Sequence, residues 1–417
     1  MKKITRREVK IVGMVSILLI GGFFLLSYFF QNQFPPYEQN VDVEASPSVT
    51  LDKFSKDDLS VSVSTSDTVV VEENVITDMP ITEETELITN KSKEENVLPV
   101  KDNSSTDPWN KEWIPLSDSE CARVSSSSIF YHDKNSVLVL KEKELRANGD
   151  KKSADYLREI SCYPYATWLT WSSASATKNR VEDIVTQATQ QGKVPVFVTY
   201  QNPAHGKAEW YSGLEGEAYL DWNRAVADAI GNRVAWVILE ADAIGFAFSY
   251  NPNDQEKRLA ELSSVVDIFK TRAPNTRVYL DAGHSEWHTP DIFASLLLRA
   301  GIKKADGFAT NISNYESLEK ELEQNNAISQ IIGDSHFLID TSRNGIGGTF
   351  DKEWCNAPGR ALGVHPTTTA GYPFVDAFLW VKVPGESDGE CGGGPSAGVF
   401  WLDYALGLVT TAIENAY

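Results

Sequence analysis

The chain has 417 residues, a formal net charge of −20 and 23% charged residues. This length admits one large folded domain with additional segments. The acidity argues against nucleic acid as a partner, because phosphate binding requires a basic surface.

The N-terminal 30 residues predict a membrane anchor. Residues 1–10, MKKITRREVK, form a basic tail, and residues 11–30, IVGMVSILLIGGFFLLSYFF, are uncharged and long enough to span a bilayer as a helix. The basic residues predict that the N-terminus stays in the cytoplasm. We therefore expect a single-pass signal anchor, with the rest of the chain at the extracellular face of the cell membrane. A cleaved signal peptide, and thus a secreted protein, is the alternative.

The next segment has the composition of a disordered stalk. Residues 31–116 carry 18 acidic and 6 basic residues and few aromatics, so they lack the apolar surface needed to offset the entropy of ordering. We expect a flexible acidic stalk over 31–116 and one folded domain over 117–417. The four cysteines predict two disulfides in an exported domain, and we expect Cys121–Cys162 and Cys355–Cys391, although sequence alone allows three connectivities.

Within the folded domain, β-rich runs alternate with segments of helical periodicity. In chain order we predict a strand over 194–200, a helix over 217–232, a strand over 234–242, a helix over 258–274, a strand over 276–284, a helix over 291–302, and strand-plus-loop units over 307–315, 336–345 and 376–389. Strands that alternate with helices form parallel sheets. This number of units predicts an α/β barrel.

Polar side chains follow the C-terminal end of each predicted strand. The groups are Tyr200-Gln201-Asn202, Glu240 with Asp242, Asp281 with His284, Asn311 with Asn314, Asp340 with Arg343, and Lys382 with Glu386 and Asp388. In α/β barrels the active site lies at this end of the strands. We therefore expect Glu240 and Asp242 on the floor of one shared pocket.

The residue types favour glycoside hydrolysis over other chemistries. The stretches TYQNPAH and DTSRNG lack the G-x-S-x-G pattern of a serine nucleophile elbow, and no glycine-rich loop joins a strand to a helix as phosphate binding would need. Asp281 and His284 lack the companion motif of a metal site, so we expect no metal and no cofactor. Paired carboxylates are the groups that hydrolyse glycosidic bonds, and tryptophans near strand ends, such as Trp168, Trp287 and Trp354, offer flat apolar faces to sugar rings.

Six stretches carry a family resemblance, and they lie between about Trp168 and Ala405. They are VILEADAIG, VYLDAGHSEWH, AGIKKADGFATNISNY, HFLIDTSRNGIG, WCNAPGRALGVHPTT and VDAFLWVKVPGESDGEC. In this order they resemble glycoside hydrolase family 6, cellulases that cut β-1,4-glucan with inversion. The resemblance implies a distorted (β/α) barrel with about seven parallel strands.

The same resemblance implies site residues. Asp242 matches the general acid, Asp388 matches the candidate general base, and Asp281 matches a further acid of the cleft. The implied substrate-binding residues are Tyr200, Trp168, His284, Trp287, Asn314, Trp354, Lys382 and Glu386. Cys355 and Cys391 match one family disulfide.

One segment departs from the family pattern. After the strand that ends at Tyr200, the family continues with an R-D-C motif, but here His205, Gly206 and Lys207 stand at those positions. The family aspartate is therefore missing, and Glu209 is the candidate for a compensating acid. Ala241 also replaces the usual proline. A catalytically impaired glucan-binding protein of the same fold is thus the alternative to an active enzyme.

The predicted partner is a β-1,4-glucan polysaccharide. The segment between Asp388 and Trp401 and the loop after Asp340 are short, which predicts an open cleft and internal (endo) cleavage. The N-terminal helix is expected to contact the membrane, and we expect no nucleic acid partner and a monomer.

Overall fold

The computed structural model describes residues 113–202, 213–348 and 354–415. None of the helices formed by these residues is both long and apolar enough to cross a membrane. The predicted basic tail (1–10) and membrane helix (11–30) lie outside the described residues, as does nearly all of the predicted stalk (31–116).

The described residues form seven strands and ten helices. The strands are β1 (Thr167–Thr170), β2 (Val196–Tyr200), β3 (Ala235–Leu239), β4 (Thr276–Asp281), β5 (Gly307–Thr310), β6 (His336–Asp340) and β7 (Val375–Leu379). The helices are α1 (Asp118–Ser127), α2 (Val137–Ala147), α3 (Lys151–Ser161), α4 (Ala174–Gln190), α5 (Gly216–Ile230), α6 (Ala243–Ala247), α7 (Pro252–Arg272), α8 (Pro290–Arg299), α9 (Leu318–Ile332) and α10 (Leu402–Asn415).

All seven strands pair in parallel and in sequence order, from β1 to β7. The sheet curls until its edges approach each other: Ala166 N–H, just before β1, donates to the carbonyl of Trp380, just after β7, at 3.0 Å. The predicted distorted α/β barrel with about seven strands is confirmed.

The strands are buried on both faces, as parallel strands covered by helices usually are. In β3, Trp236 and Ile238 pack inside the barrel, whereas Val237 and Leu239 pack against the surrounding helices. A separate core joins α2, α3 and α10 around Trp380.

The largest difference from a predicted boundary is a helix start. Helix α7 begins at Pro252, six residues before the predicted start, because the Asn251 side chain caps it and proline is well accommodated in a first helical turn. Helix α1 begins after Ser117, which forms a capping box with Glu120.

Candidate active site

A cleft of about 2530 Å³ lies across the C-terminal ends of the strands. Among the described residues predicted to act in catalysis or substrate binding, only Asp281 is absent from its lining. The predicted residues that line it are Trp168, Tyr200, Asp242, His284, Trp287, Asn314, Trp354, Lys382, Glu386 and Asp388. The topology therefore gathers residues that are up to 220 positions apart, since parallel strands deliver their C-terminal ends to one side of the barrel.

Asp242 projects into this cleft from the turn that follows β3. Its backbone is left-handed (φ 70°), as is that of Glu240 (φ 52°), a conformation that few non-glycine residues adopt. Desolvation, with a smaller contribution from the negative charge of Asp388, raises the pKa of Asp242 to about 6. The Tyr200 hydroxyl, 3.5 Å from Oδ2, opposes that rise. Asp242 therefore keeps a proton at mildly acidic pH and is suited to proton donation.

Glu240 does not reach the cleft, so its expected place on the pocket floor is wrong. Its carboxylate is fully buried, where it pairs with Arg258 at 3.0 Å and accepts the backbone N–H of Gln201 at 2.9 Å. Arg258 also donates to Asn202 Oδ1 at 3.0 Å. Glu240 is thus part of a buried structural ion pair, whereas Asp242 faces the cleft.

Asp281, at the end of β4, lies behind Asp242 and is 1% exposed. Its Oδ1 accepts the backbone N–H groups of Asp242 at 2.9 Å and of Gly283 at 3.1 Å. Its Oδ2 has no hydrogen-bond partner in the described part of the chain. Burial, with a further contribution from the nearby Asp242 carboxylate, raises the pKa of Asp281 well above its usual range. This geometry suits a group that orients Asp242.

Asp388 is held as an anion. Burial opposes its ionisation, but the positive charges of Arg343 and Lys382 outweigh burial and lower its pKa to about 2. Arg343 Nη1 lies 2.7 Å from Oδ2, and Lys382 Nζ lies 3.2 Å from Oδ1. Oδ2 also accepts the Tyr315 hydroxyl at 3.1 Å and the Asn356 backbone N–H at 3.0 Å. The cleft therefore contains one carboxyl with a high pKa and one with a low pKa, the arrangement that separates acid from base.

Lys382 and Glu386 lie beside Asp388. The backbone N–H of Lys382 donates to Asp340 Oδ2 at 2.9 Å, so the acid at the end of β6 fixes the strand exit that carries the lysine. Burial raises the pKa of Glu386 to about 7, against the lowering effect of Lys382 and Arg180. Glu386 is thus available as a hydrogen-bond donor to a sugar hydroxyl in mildly acidic solution.

Two glycines make room for the Trp287 ring. A Cβ atom on Gly245 or Gly283 would lie 2.8 Å from the Trp287 ring, closer than carbon atoms pack. Phe246 meets the same ring edge-on, with centroids 4.9 Å apart. His284, whose pKa is lowered to about 4 by burial, is neutral beside it. These contacts fix the indole as a wall of the cleft.

Both predicted disulfides are formed, so their pairing is confirmed. Cys355–Cys391 links the segment with Trp354 and Asn356 to the segment with Asp388. Cys121–Cys162 instead joins the start of α1 to the end of α3, among the N-terminal helices. Within residues 113–202, 213–348 and 354–415, no three His, Cys, Asp or Glu side chains are arranged to hold a metal ion.

The sequence reasoning missed several residues that act on the predicted ones. Tyr315 and Asn356 hold Asp388, yet the only available signal was their place in the recognisable stretches ISNY and WCNAPGR. Trp171 lines the cleft but received no role. The departing positions His205, Gly206 and Lys207, and the candidate Glu209, lie outside the described residues.

Comparison with protein families gives one match over most of the folded domain. The model described as "Glycosyl hydrolases family 6" matches residues 125–412.

Among curated proteins, Endoglucanase A of Cellulomonas fimi is 38% identical over 269 residues, which are 64% of this chain and 58% of that protein. Endoglucanase 1 of Streptomyces sp. (strain KSM-9) is 36% identical over 246 residues, which are 58% of this chain and 68% of that protein. The chain thus spans less than two thirds of the length of the Cellulomonas relative.

Solved structures give the same result. The endoglucanase Cel6 of Mycobacterium tuberculosis, in complex with methyl-cellobiosyl-4-deoxy-4-thio-β-D-cellobioside, is 36% identical with a TM-score of 0.64. The match covers 69% of this chain and 98% of that chain. The GH6 enzyme of Orpinomyces sp. Y102 is 25% identical with a TM-score of 0.59, and the match covers 69% of this chain and 97% of that chain.

Proposed function

Since the chain belongs to glycosyl hydrolases family 6, we propose that its folded domain is a cellulase-type glycoside hydrolase that cleaves β-1,4-glucan with inversion. The observation that carries this proposal is the contrast between two cleft carboxyls: the pKa of Asp242 is raised to about 6 and that of Asp388 is lowered to about 2. Inverting hydrolysis requires such a protonated acid and ionised base.

In the proposed reaction, Asp242 donates its proton to the glycosidic oxygen as the bond from that oxygen to the anomeric carbon breaks. A water molecule attacks the anomeric carbon from the opposite face of the sugar. The proton that this water loses passes to the Asp388 carboxylate. Arg343 and Lys382 keep Asp388 ionised before the step, and the aromatic side chains hold the sugar rings on either side of the cleaved bond.

Cleavage within the chain is the proposed mode of action. Two relatives that cover much of the domain carry the name endoglucanase, and both Trp168 and Trp354 line the cleft. For an endo-acting enzyme, the viscosity of a soluble cellulose derivative falls steeply while few reducing ends appear. A fall in viscosity that only parallels sugar release would contradict this mode.

We also propose that the domain acts as a monomer outside the cytoplasm, tethered by residues 11–30. Disulfides persist in oxidising compartments, and the domain holds two. The domain should stay with untreated intact cells, and protease treatment of those cells should remove it from their surface. Its recovery in the medium of untreated cells would favour a cleaved signal peptide.

The decisive test is reducing-sugar release from a soluble β-1,4-glucan by the full-length protein and its Asp242→Ala variant. We expect the variant to lose about 10²- to 10⁴-fold in kcat, the usual contribution of a general acid. Asp267→Asn, an exposed acid on α7, is the matched control and should keep full activity. NMR of the first products should show the α-anomer, as inversion requires.

Two outcomes would contradict the proposal. Equal activity in the parent and in Asp242→Ala would mean that another acid donates the proton. Calorimetric binding of cellohexaose without any product would favour the glucan-binding alternative suggested by Gly206.

A further inference from the structure

We propose that Trp171 forms a sugar-binding subsite of its own in the cleft, where its indole ring stacks on one glucose unit of a linear β-1,4-glucan. The inference rests on the proposed function, and it concerns a residue to which neither the family resemblance nor the sequence reasoning assigned a role.

The exposed fraction of its side chain distinguishes Trp171 from most other tryptophans of the described residues. Among the tryptophans of the described residues, only Trp171 (50%) and Trp354 (59%) are at least half exposed, and both line the cleft. Other tryptophans of the domain, such as Trp222 and Trp380, are fully buried. Leaving a large apolar ring in water forgoes the free energy of its burial. An exposed indole in a substrate cleft is therefore well placed to regain that free energy by covering the flat face of a sugar.

The ring is also held on a rigid support. The backbone next to it is fixed, because the buried Trp222 donates its indole N–H to the carbonyl of Ser172 at 3.0 Å. Ser173 then caps α4 by accepting the N–H of Ala176. Trp171 thus lies between the end of β1 and a capped helix. A preorganised side chain loses little conformational entropy when it binds a ligand.

Trp171 differs from its neighbour Trp168 in the hydrogen bonding of its indole N–H. Both rings contact Tyr200, with centroids 5.6 Å away for Trp168 and 6.0 Å away for Trp171. The Trp168 indole N–H donates to the carbonyl of Val381 at 2.9 Å. The Trp171 indole N–H makes no hydrogen bond to any described residue. Trp171 therefore offers a sugar both an apolar face and an unused donor.

Polar groups for the sugar hydroxyls lie on the adjoining helix. Arg180 and Asp183, both exposed on α4, line the same cleft. Arg180 Nη1 donates to the carbonyl of Trp168 at 3.0 Å, which orients the guanidinium along the rim. A cleft that presents an exposed aromatic face, a planar donor and a carboxylate suits a glucose chain, whose rings have apolar faces and whose hydroxyls accept and donate hydrogen bonds.

The test measures cellohexaose binding by calorimetry in full-length Asp242→Ala protein, so that the ligand is not cleaved. Adding Trp171→Ala should weaken binding about three- to tenfold. Trp171→Tyr, which keeps an aromatic face and a donor, should stay within about twofold of the parent. Phe248→Ala is the matched control, since Phe248 is 48% exposed but does not line the cleft, and it should bind like the parent.

In the active protein, Trp171→Ala should raise KM by a similar factor and change kcat less. Unchanged cellohexaose binding in Trp171→Ala, or an equal loss in Phe248→Ala, would overturn the subsite and leave the proposed function intact. If the Asp242→Ala parent binds no cello-oligosaccharide at all, the proposed function and the subsite are both overturned.

Discussion

The backbone N–H of Asp242 donates a hydrogen bond to Oδ1 of Asp281 at 2.9 Å. One buried carboxyl group thereby fixes the turn that presents another to the cleft. Asp281 also accepts the N–H of Gly283, which lies against the Trp287 ring. The acid at the end of β4 therefore ties together the proton donor from β3 and one aromatic wall of the cleft.

Two substitutions of Asp281 separate this positioning from its charge. Asp281→Asn keeps an oxygen that accepts both backbone N–H groups, whereas Asp281→Ala leaves them unpaired. We expect Asp281→Ala to lower kcat at least about tenfold more than Asp281→Asn, since a displaced acid loses its alignment with the leaving group. Steady-state kinetics on a soluble β-1,4-glucan measures this. Equal losses in both variants would show that the ionisable carboxyl itself is required.

The pH profile should report the hydrogen bond between Tyr200 and Asp242. Activity requires protonated Asp242, so kcat/KM should fall as pH rises through the pKa of about 6. The Tyr200 hydroxyl stabilises the carboxylate and lowers that pKa. Tyr200→Phe removes this effect, and the alkaline limb of kcat/KM should move to higher pH.

The control for this shift is Tyr372→Phe, which alters a tyrosine outside the cleft lining and should leave the limb in place. An alkaline limb that moves to lower pH in Tyr200→Phe would contradict the assignment of Asp242 as the titrating acid.

The barrel was predictable from the sequence because its signals are local. Alternating strand and helix patterns, together with polar groups at each strand exit, were enough to place most cleft residues. The roles of Glu240 and Asp242 were not separable in this way. Both follow β3, and only the position of Arg258 on α7, where it meets Glu240, shows which acid is withdrawn from the cleft.

Electrostatic roles were likewise beyond local patterns. Asp388 is ionised because Arg343 from the β6 exit, Lys382 from the β7 exit and the Asn356 backbone converge on it. These groups are 6 to 45 residues from Asp388 along the chain, so sequence spacing alone does not predict that they contact it. The family resemblance identified Asp388 as the candidate base, whereas the low pKa of Asp388 follows only from three-dimensional proximity.

Glu321 on α9 should make stability depend on pH. It is fully buried, its Oε1 accepts the N–H of Ser285 at 2.8 Å, and burial raises its pKa to about 7. A carboxyl whose pKa is higher in the folded state stabilises the fold fully below its unfolded pKa, and this stabilisation is lost as pH rises through the folded pKa. The loss between about pH 4.5 and 7 amounts to about 3 kcal/mol.

Glu321→Gln, which does not titrate, should remove that loss. Urea unfolding at pH 5 and pH 8 should show a smaller decrease in the free energy of unfolding for the variant than for the parent. Glu319→Gln, an exposed glutamate on the same helix, should behave like the parent. Parallel pH dependence in the parent and in Glu321→Gln would mean that Glu321 is not the group responsible.

The two disulfides should contribute similarly to stability but differently to activity. Their sequence separations are 41 residues for Cys121–Cys162 and 36 for Cys355–Cys391, so loop-closure entropy predicts about 4 kcal/mol for each. Cys355–Cys391 adjoins Trp354 and lies near Asp388, whereas Cys121–Cys162 lies among the N-terminal helices. Replacing Cys355 and Cys391 by serine should therefore lower both stability and kcat/KM.

The matched double variant, Cys121→Ser with Cys162→Ser, should lose a comparable amount of stability and keep kcat/KM at temperatures where it remains folded. Thermal unfolding and initial rates on the same preparations measure both quantities. If the two double variants lost activity equally, the Cys355–Cys391 bridge would serve the fold alone, and Trp354 and Asn356 would be held in place by their remaining contacts, such as those of Asn356 with Ser387 and Asp388.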